Sequence, residues 1–187
     1  MTADEMRAKV QRRRIEALPD IIRRHAAELR TPIGSDIGPA RLLIAIAKVE
    51  SSFGVHGGRL RVEPAYLPAS RLPGTHDGPL FRRHVRDLFA LYGDAACGSW
   101  SSWQIMYPTA WELGFRGEPW DLFDDEKAIV WVCAYLNVRA FGRGAKTLAD
   151  MADAYNSGDH RDRFVPTRYI EEIQHHYDQA GRDMGVA

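Results

Sequence analysis

Ala40-Arg41-Leu42-Leu43-Ile44-Ala45-Ile46-Ala47-Lys48-Val49-Glu50-Ser51-Ser52-Phe53-Gly54 is the stretch that decides how this chain is read. Pro39 stands before it, with the fixed φ that suits a first helical turn. From Ala40 to Val49 the segment is apolar on nearly every side, so it predicts a helix buried in the middle of the protein and terminated by Glu50. A carboxylate at that end is costly to bury in its charged form. Partial burial and the negative end of the helix dipole both favour the protonated acid, which makes Glu50 the leading candidate for a proton donor near neutral pH. The competing reading is an ordinary solvated glutamate, which most glutamates are.

Upstream, Ile15, Leu18, Ile21, Ile22, Ala26 and Leu29 recur at three- and four-residue steps, predicting a helical arm within residues 1–30, with Pro19 opening a new first turn. Residues 31–39 carry turn chemistry. Downstream, residues 54–78 hold glycines at 54, 57, 58, 74 and 78 and prolines at 64, 68 and 73, a loop long enough to suggest function. Helical spacing resumes at Leu80, Val85, Leu88, Phe89 and Leu91, again over 108–113, and most strongly over 128–138, a second central helix. Shorter helices are expected at 147–155 and 167–176. Alternating strand-like segments are scarce. The expected class is mainly α in a single domain, with a core over 40–175 and a loop-rich cleft region holding at most a small irregular β-hairpin.

With 45% hydrophobic residues in 187, the chain can build an ordinary core without metal or disulfide staples. Cys97 and Cys133 match no C-x-x-C or zinc-ligand spacing and read as two buried thiols. Lys plus Arg and Asp plus Glu are both 25, and this zero net charge argues against a nucleic-acid partner. The runs Arg12-Arg13-Arg14, Arg23-Arg24 and Arg82-Arg83 read as solvated helix faces. No apolar run approaches the roughly 18 residues of a transmembrane span, and the amino terminus lacks the apolar region of a secretory signal, so synthesis in the cytoplasm without a signal peptide is expected. No cofactor and no metal are expected. His175 and His176 are helical neighbours pointing about 100° apart, a poor ligand pair, and Ser101 or Ser102 lies in no G-x-S-x-G elbow.

Four ordered elements then carry a resemblance. Glu50-Ser51-Ser52-Phe53 resembles an E-S-x-F element that follows a hydrophobic helix. Gly98-Ser99-Trp100-Ser101-Ser102-Trp103-Gln104-Ile105-Met106, with Pro108-Thr109-Ala110 and Glu112-Leu113-Gly114, is similar to G-x-x-G-L-M-Q-x-M-P-x-T-A-x-x-L-G. Here Ser101 stands where glycine is usual, Trp103 replaces Met, and Tyr107 is an extra residue before the proline. Ala154-Tyr155-Asn156-Ser157-Gly158 is similar to A-Y-N-x-G, and Pro166-Thr167-Arg168-Tyr169-Ile170 resembles a closing element. Together, over roughly residues 40–175, they resemble the soluble lytic transglycosylase and goose-type lysozyme superfamily.

That resemblance implies a lysozyme-like fold and an enzyme, a peptidoglycan muramidase or lytic transglycosylase, cutting the MurNAc-GlcNAc β-1,4 bond with Glu50 as acid and then base. It implies a substrate-binding set of Ser99, Gln104, Met106, Tyr155, Asn156, Tyr169 and Tyr66, with Tyr169 aimed at the acid. Gln104 suits hydrogen bonding to an N-acetyl or hydroxyl group. Trp100, Trp103 and Trp111 read equally well as cleft or core aromatics. Ser101 is expected to narrow a cleft wall or to change the local turn. Water as nucleophile would use a second carboxylate, whereas the muramoyl 6-hydroxyl would give a 1,6-anhydro product. Of Glu63, Asp77 and Asp94, Glu63 is preferred because Arg61-Val62-Glu63-Pro64-Ala65-Tyr66 is similar to an R-x-E-P-x-[YF] element of phage-type relatives. Its competing reading is a salt bridge with Arg59 or Arg61; Asp77 reads as a turn residue. The missing signal sequence points to a phage-encoded endolysin or a virion-associated muralytic protein. The rival expectation is a non-catalytic glycan-binding or structural protein on the same fold.

Overall fold

The computed structural model describes residues 2–31, 35–53, 55, 60–74, 76–161 and 165–183. Its helices are α1 (Ala3–His25), α2 (Pro39–Ser51), α3 (Arg83–Tyr92), α4 (Tyr107–Glu112), α5 (Asp125–Arg139), α6 (Leu148–Ser157) and α7 (Thr167–Asp183). Three short strands, β1 (Arg61–Val62), β2 (Gly98–Trp100) and β3 (Ile105–Met106), form an antiparallel sheet in the order β1-β2-β3. The protein is therefore mainly α with a small β element. No helix among the described residues is long and apolar enough to cross a membrane.

The two apolar stretches form the centre. On α2, Leu42, Leu43, Ala45, Ile46 and Ala47 are fully buried; on α5, Ala128, Ile129, Val132, Cys133 and Leu136 are. Each large aliphatic side chain removed from water contributes roughly 1.5–3 kcal/mol, which is why segments without a wet face settle here. The long side of α2 packs on α7, whose Ile173, Tyr177 and Ala180 continue the apolar spacing past the expected end at 176 and carry the helix to Asp183.

The amino-terminal helix departs from expectation in two ways. It runs unbroken through Pro19, which removes one backbone hydrogen bond but is spanned by the buried Leu18, Ile21 and Ile22. Those residues belong to the same core as α2 and α5, so the second half of the arm is an integral layer.

The loop-rich stretch is ordered where it is described. It contains β1 and two 3-10 turns, Pro64–Tyr66 and Ala69–Arg71, over a satellite core of Leu67, Phe81, Val85 and Cys97. Gly78 makes this packing possible: a Cβ there would lie 2.5 Å from the carbonyl oxygens of Pro64 and Ala65. Gly54, Gly57 and Gly58, and the Arg59 considered as a partner for Glu63, lie outside the described residues. Cys97 and Cys133 are free and buried, as read from the sequence.

Candidate active site

Sheet register assembles the first wall of a cleft. Arg61 pairs with Ser99 and Ser99 with Met106, while the Glu63 N–H donates to the Cys97 carbonyl at 3.0 Å. Because strand side chains alternate, Arg61 and Glu63 share a face, and there they form an ion pair. The second wall is the carboxyl end of α2. The third is α6 and the turn after it. Between them lies a cavity of about 580 Å³, lined by Glu50, Glu63, Gln104, Met106, Tyr155 and Asn156 among others. Tyr66 lines it as well.

Glu50 is half-buried at its floor. Burial is the largest influence on its carboxyl and raises the pKa above the ordinary value. The neighbouring Glu63 pushes in the same direction, while the Tyr169 hydroxyl and Arg61 pull back. Tyr169 on α7 donates to Glu50 Oε1 at 2.7 Å, and Oε2 has no hydrogen-bond partner among the described residues. The acid is thus oriented by one oxygen and available through the other.

Behind the acid the backbone turns sharply. Ser52 at φ 52° and Phe53 at φ 58° are left-handed; the Ser52 N–H reaches the Lys48 carbonyl at 2.9 Å and the Phe53 N–H reaches that of Ala47 at 2.9 Å. Ser51 is buried and donates from Oγ to the Ser102 carbonyl at 2.6 Å, which binds the end of α2 to the turn joining β2 and β3.

That turn presents Gln104. Ser101 sits at φ 72°, the conformation a glycine would adopt freely, and Gln104 at φ 51°. Ser101 is fully buried and lies outside the cavity lining, so the serine does not narrow the cleft. Its Oγ instead accepts the Trp103 N–H at 3.2 Å. Gln104 Nε2 donates to the Ser101 carbonyl at 2.9 Å, and Oε1 accepts from Ser99 Oγ at 3.0 Å. One N–H and one lone pair of the amide remain for a ligand. Ser99, expected among the binding residues, is a correction: it is buried behind Gln104 and holds that amide rather than lining the cavity.

The other expected residues sort as clearly. Tyr155 lines the cavity with its ring, but its hydroxyl donates to the Trp103 carbonyl at 2.7 Å. Tyr169 touches Glu50 through its hydroxyl and is not among the residues lining the cavity. Trp100 and Trp103 are core aromatics, Trp111 is half-buried, and none of the three lines the cavity. Asp77 accepts the Ala69 N–H at 2.8 Å and Asp94 pairs with Arg71, so of the three candidate carboxylates only Glu63 faces the cavity.

Sequence reasoning missed Arg82, His84, Glu112 and Arg139, which also line it. They come from α4, α5 and the start of α3, and no local pattern announces them. Among the described residues no group of three or more His, Cys, Asp or Glu could hold a metal ion. No family model matches the chain, and neither the curated proteins nor the solved structures give a match.

Proposed function

We propose that the protein is a glycosidase acting on a polymeric sugar, and more particularly a muralytic enzyme cutting the MurNAc-GlcNAc β-1,4 bond of peptidoglycan. The observation that carries this reading is Glu50: a carboxyl kept toward its protonated form by burial, tethered by Tyr169, with a free oxygen at the floor of an open cleft. A glycosidic oxygen is a poor base and leaves only if a proton is delivered as the bond breaks. The cleft around the acid supplies what a sugar ring needs, aromatic surface from Tyr66 and Tyr155 and amide groups from Gln104 and Asn156. The ordered resemblance to the lytic transglycosylase and goose-type lysozyme superfamily supports the same choice.

In the proposed reaction Glu50 gives its proton to the leaving oxygen, and positive charge develops at the anomeric carbon. The resulting carboxylate then takes a proton from the nucleophile, water or the muramoyl 6-hydroxyl. Glu63 favours water, because a second carboxylate in the same cavity can orient it. Its ion pair with Arg61 is compatible with that role, since it fixes the carboxylate in the cavity wall.

Clearing of a peptidoglycan suspension by wild type but not by Glu50→Gln tests the assignment. Equal clearing by both would remove Glu50 from its role, and clearing by neither would favour a non-catalytic glycan-binding protein. Mass spectrometry of released fragments separates the two outcomes, an anhydro product being lighter by one water. Glu63→Gln is expected to suppress the hydrolytic product and spare transfer.

A further inference from the structure

His25 closes α1, and both of its ring nitrogens face carboxylates. Nδ1 lies 2.6 Å from Glu28 Oε1, and Nε2 lies 2.9 Å from Glu126 Oε1. The two acids come from different elements: Glu28 ends the 3-10 turn Ala26–Glu28 that follows α1, and Glu126 stands in the first turn of α5. A neutral imidazole has one N–H and one lone pair, so it can donate to one acid and must turn a lone pair on the other. The imidazolium donates to both. Glu126 is no substitute proton holder, because Arg24 also donates to it, from Nε to Oε1 at 3.3 Å and from Nη2 to Oε2, and its pKa is lowered. Burial of the ring is the largest influence on His25 and opposes its charge, but the bonds and fields of Glu126 and Glu28 outweigh it and raise the pKa.

We infer that His25 is a proton-operated latch: the charged ring joins the end of α1 and its following turn to α5, and the neutral ring releases one of the two. The arm is gripped at two neighbouring positions of α5. At Asp125, which also holds the Ser102 N–H and hydroxyl, the grip is Arg14, whose charge is permanent. At Glu126 it is shared with a histidine, whose charge is not. The remaining groups around the ring do not titrate with it. The Cys133 thiol, pushed up to about 12 by burial, lies 3.9 Å from the His25 carbonyl. Asn137 donates to the Glu28 carbonyl at 2.8 Å and accepts the Arg30 N–H at 2.8 Å, and Asp20 is paired with Arg23 one turn back on α1. These ties persist, so deprotonation loosens this end of the arm without detaching it. Because the folded pKa lies above the unfolded one, the latch contributes fully below the ordinary value of 6.5 and is lost as pH rises through the folded value.

The test is an NMR titration of the histidine rings of the full chain, with His25 assigned from His25→Gln. Wild-type His25 is expected to titrate above 6.5, and Glu28→Gln and Glu126→Gln should each lower the midpoint. Hydrogen exchange reads the latch itself. Corrected for intrinsic rate, protection of the amides in residues 22–30 should fall about threefold from pH 6 to pH 8 in wild type and stay level in His25→Gln, the scale of charge pairs that solvent partly screens. Glu28→Gln, which removes the acid of the turn and leaves Arg24 on Glu126, should fall between them. A wild-type midpoint at or below 6.5, a midpoint that neither glutamine variant moves, or an equal change of protection in wild type and His25→Gln overturns the inference. Should His25→Gln fail to fold, the wild-type midpoint and its shift in Glu28→Gln decide the matter. None of these readouts depends on turnover, so the latch and the proposed glycosidase stand or fall separately.

Discussion

Arg14→Met should destabilise the protein by about 2–3 kcal/mol, more than any surface charge removal. The Asp125 side chain is 2% exposed and accepts four hydrogen bonds: from Arg14 Nε at 2.5 Å and Nη2 at 2.8 Å, from the Ser102 N–H at 2.8 Å and from Ser102 Oγ at 2.9 Å. Removing one partner of a buried ion pair typically costs about 3–5 kcal/mol, because the remaining charge is left uncompensated. Arg14 is 17% exposed, so water can reach the gap and the cost falls to the bottom of that range or just below it. For a chain of this length the loss corresponds to roughly 6–9 °C in Tm. The double variant Arg14→Met with Asp125→Asn should recover at least about 1 kcal/mol, since the asparagine oxygen still serves the Ser102 N–H and no charge is stranded. Denaturant titration of wild type, both single variants and the double variant measures the coupling. A loss below about 1 kcal/mol for Arg14→Met, or a double variant no more stable than it, would refute the reasoning.

Glu50→Gln should raise stability at neutral pH and leave it unchanged in acid. The folded pKa is raised above the unfolded one, so the folded state holds the proton more tightly and stability falls as pH rises through the unfolded and then the folded value; glutamine lacks this loss. Thermal melts of the two proteins that stay parallel across pH 4–8 would contradict it. Tyr169→Phe removes a donor that lowers the Glu50 pKa, so the alkaline limb of the pH-rate profile should move to higher pH; an unmoved or downward limb counts against the tether. Ser101→Gly and Ser101→Ala both lose the acceptor for the Trp103 N–H, but only glycine relieves the left-handed φ, so the glycine variant should be more stable than the alanine one by about 1 kcal/mol. Equal stabilities would mean that the turn adjusts.

The parts legible in the sequence are those that local pattern encodes. A segment apolar all round has one comfortable location, so α2 and α5 could be placed, and with α2 came Glu50 at its end. Gln104, Tyr155 and Asn156 could be grouped only through ordered motifs, and the shared cavity agrees with that grouping. What sequence reading could not supply is held by long-range pairs. Arg14 and Asp125 are 111 positions apart, and each reads alone as an ordinary surface charge. Ser99 is read as a binding residue from its place in the motif; its full burial and its hydrogen bond to Gln104 Oε1, neither of which a local pattern encodes, keep it from the cavity lining. Pro19 looked like a break because propensity favours one, and the packing of Leu18, Ile21 and Ile22 decided otherwise.

Strain gives an independent view of where the molecule is specialised. Four non-glycine residues have positive φ among the described residues, and they fall in two places: Ser52 and Phe53 directly behind the acid, Ser101 and Gln104 in the turn facing it. Each left-handed side chain costs about 1–2 kcal/mol, and such outliers persist only where surrounding contacts over-determine them. Here those contacts form one chain, from Arg14 through Asp125 and Ser102 to Ser51, with the Trp103 indole N–H on the Leu43 carbonyl at 2.9 Å as a second tie from turn to helix. A fold selected for stability alone would place glycine at these positions. Serine, phenylalanine and glutamine there make sense if the two strained turns must meet with side chains in place, so that a half-buried acid and an amide line one cavity.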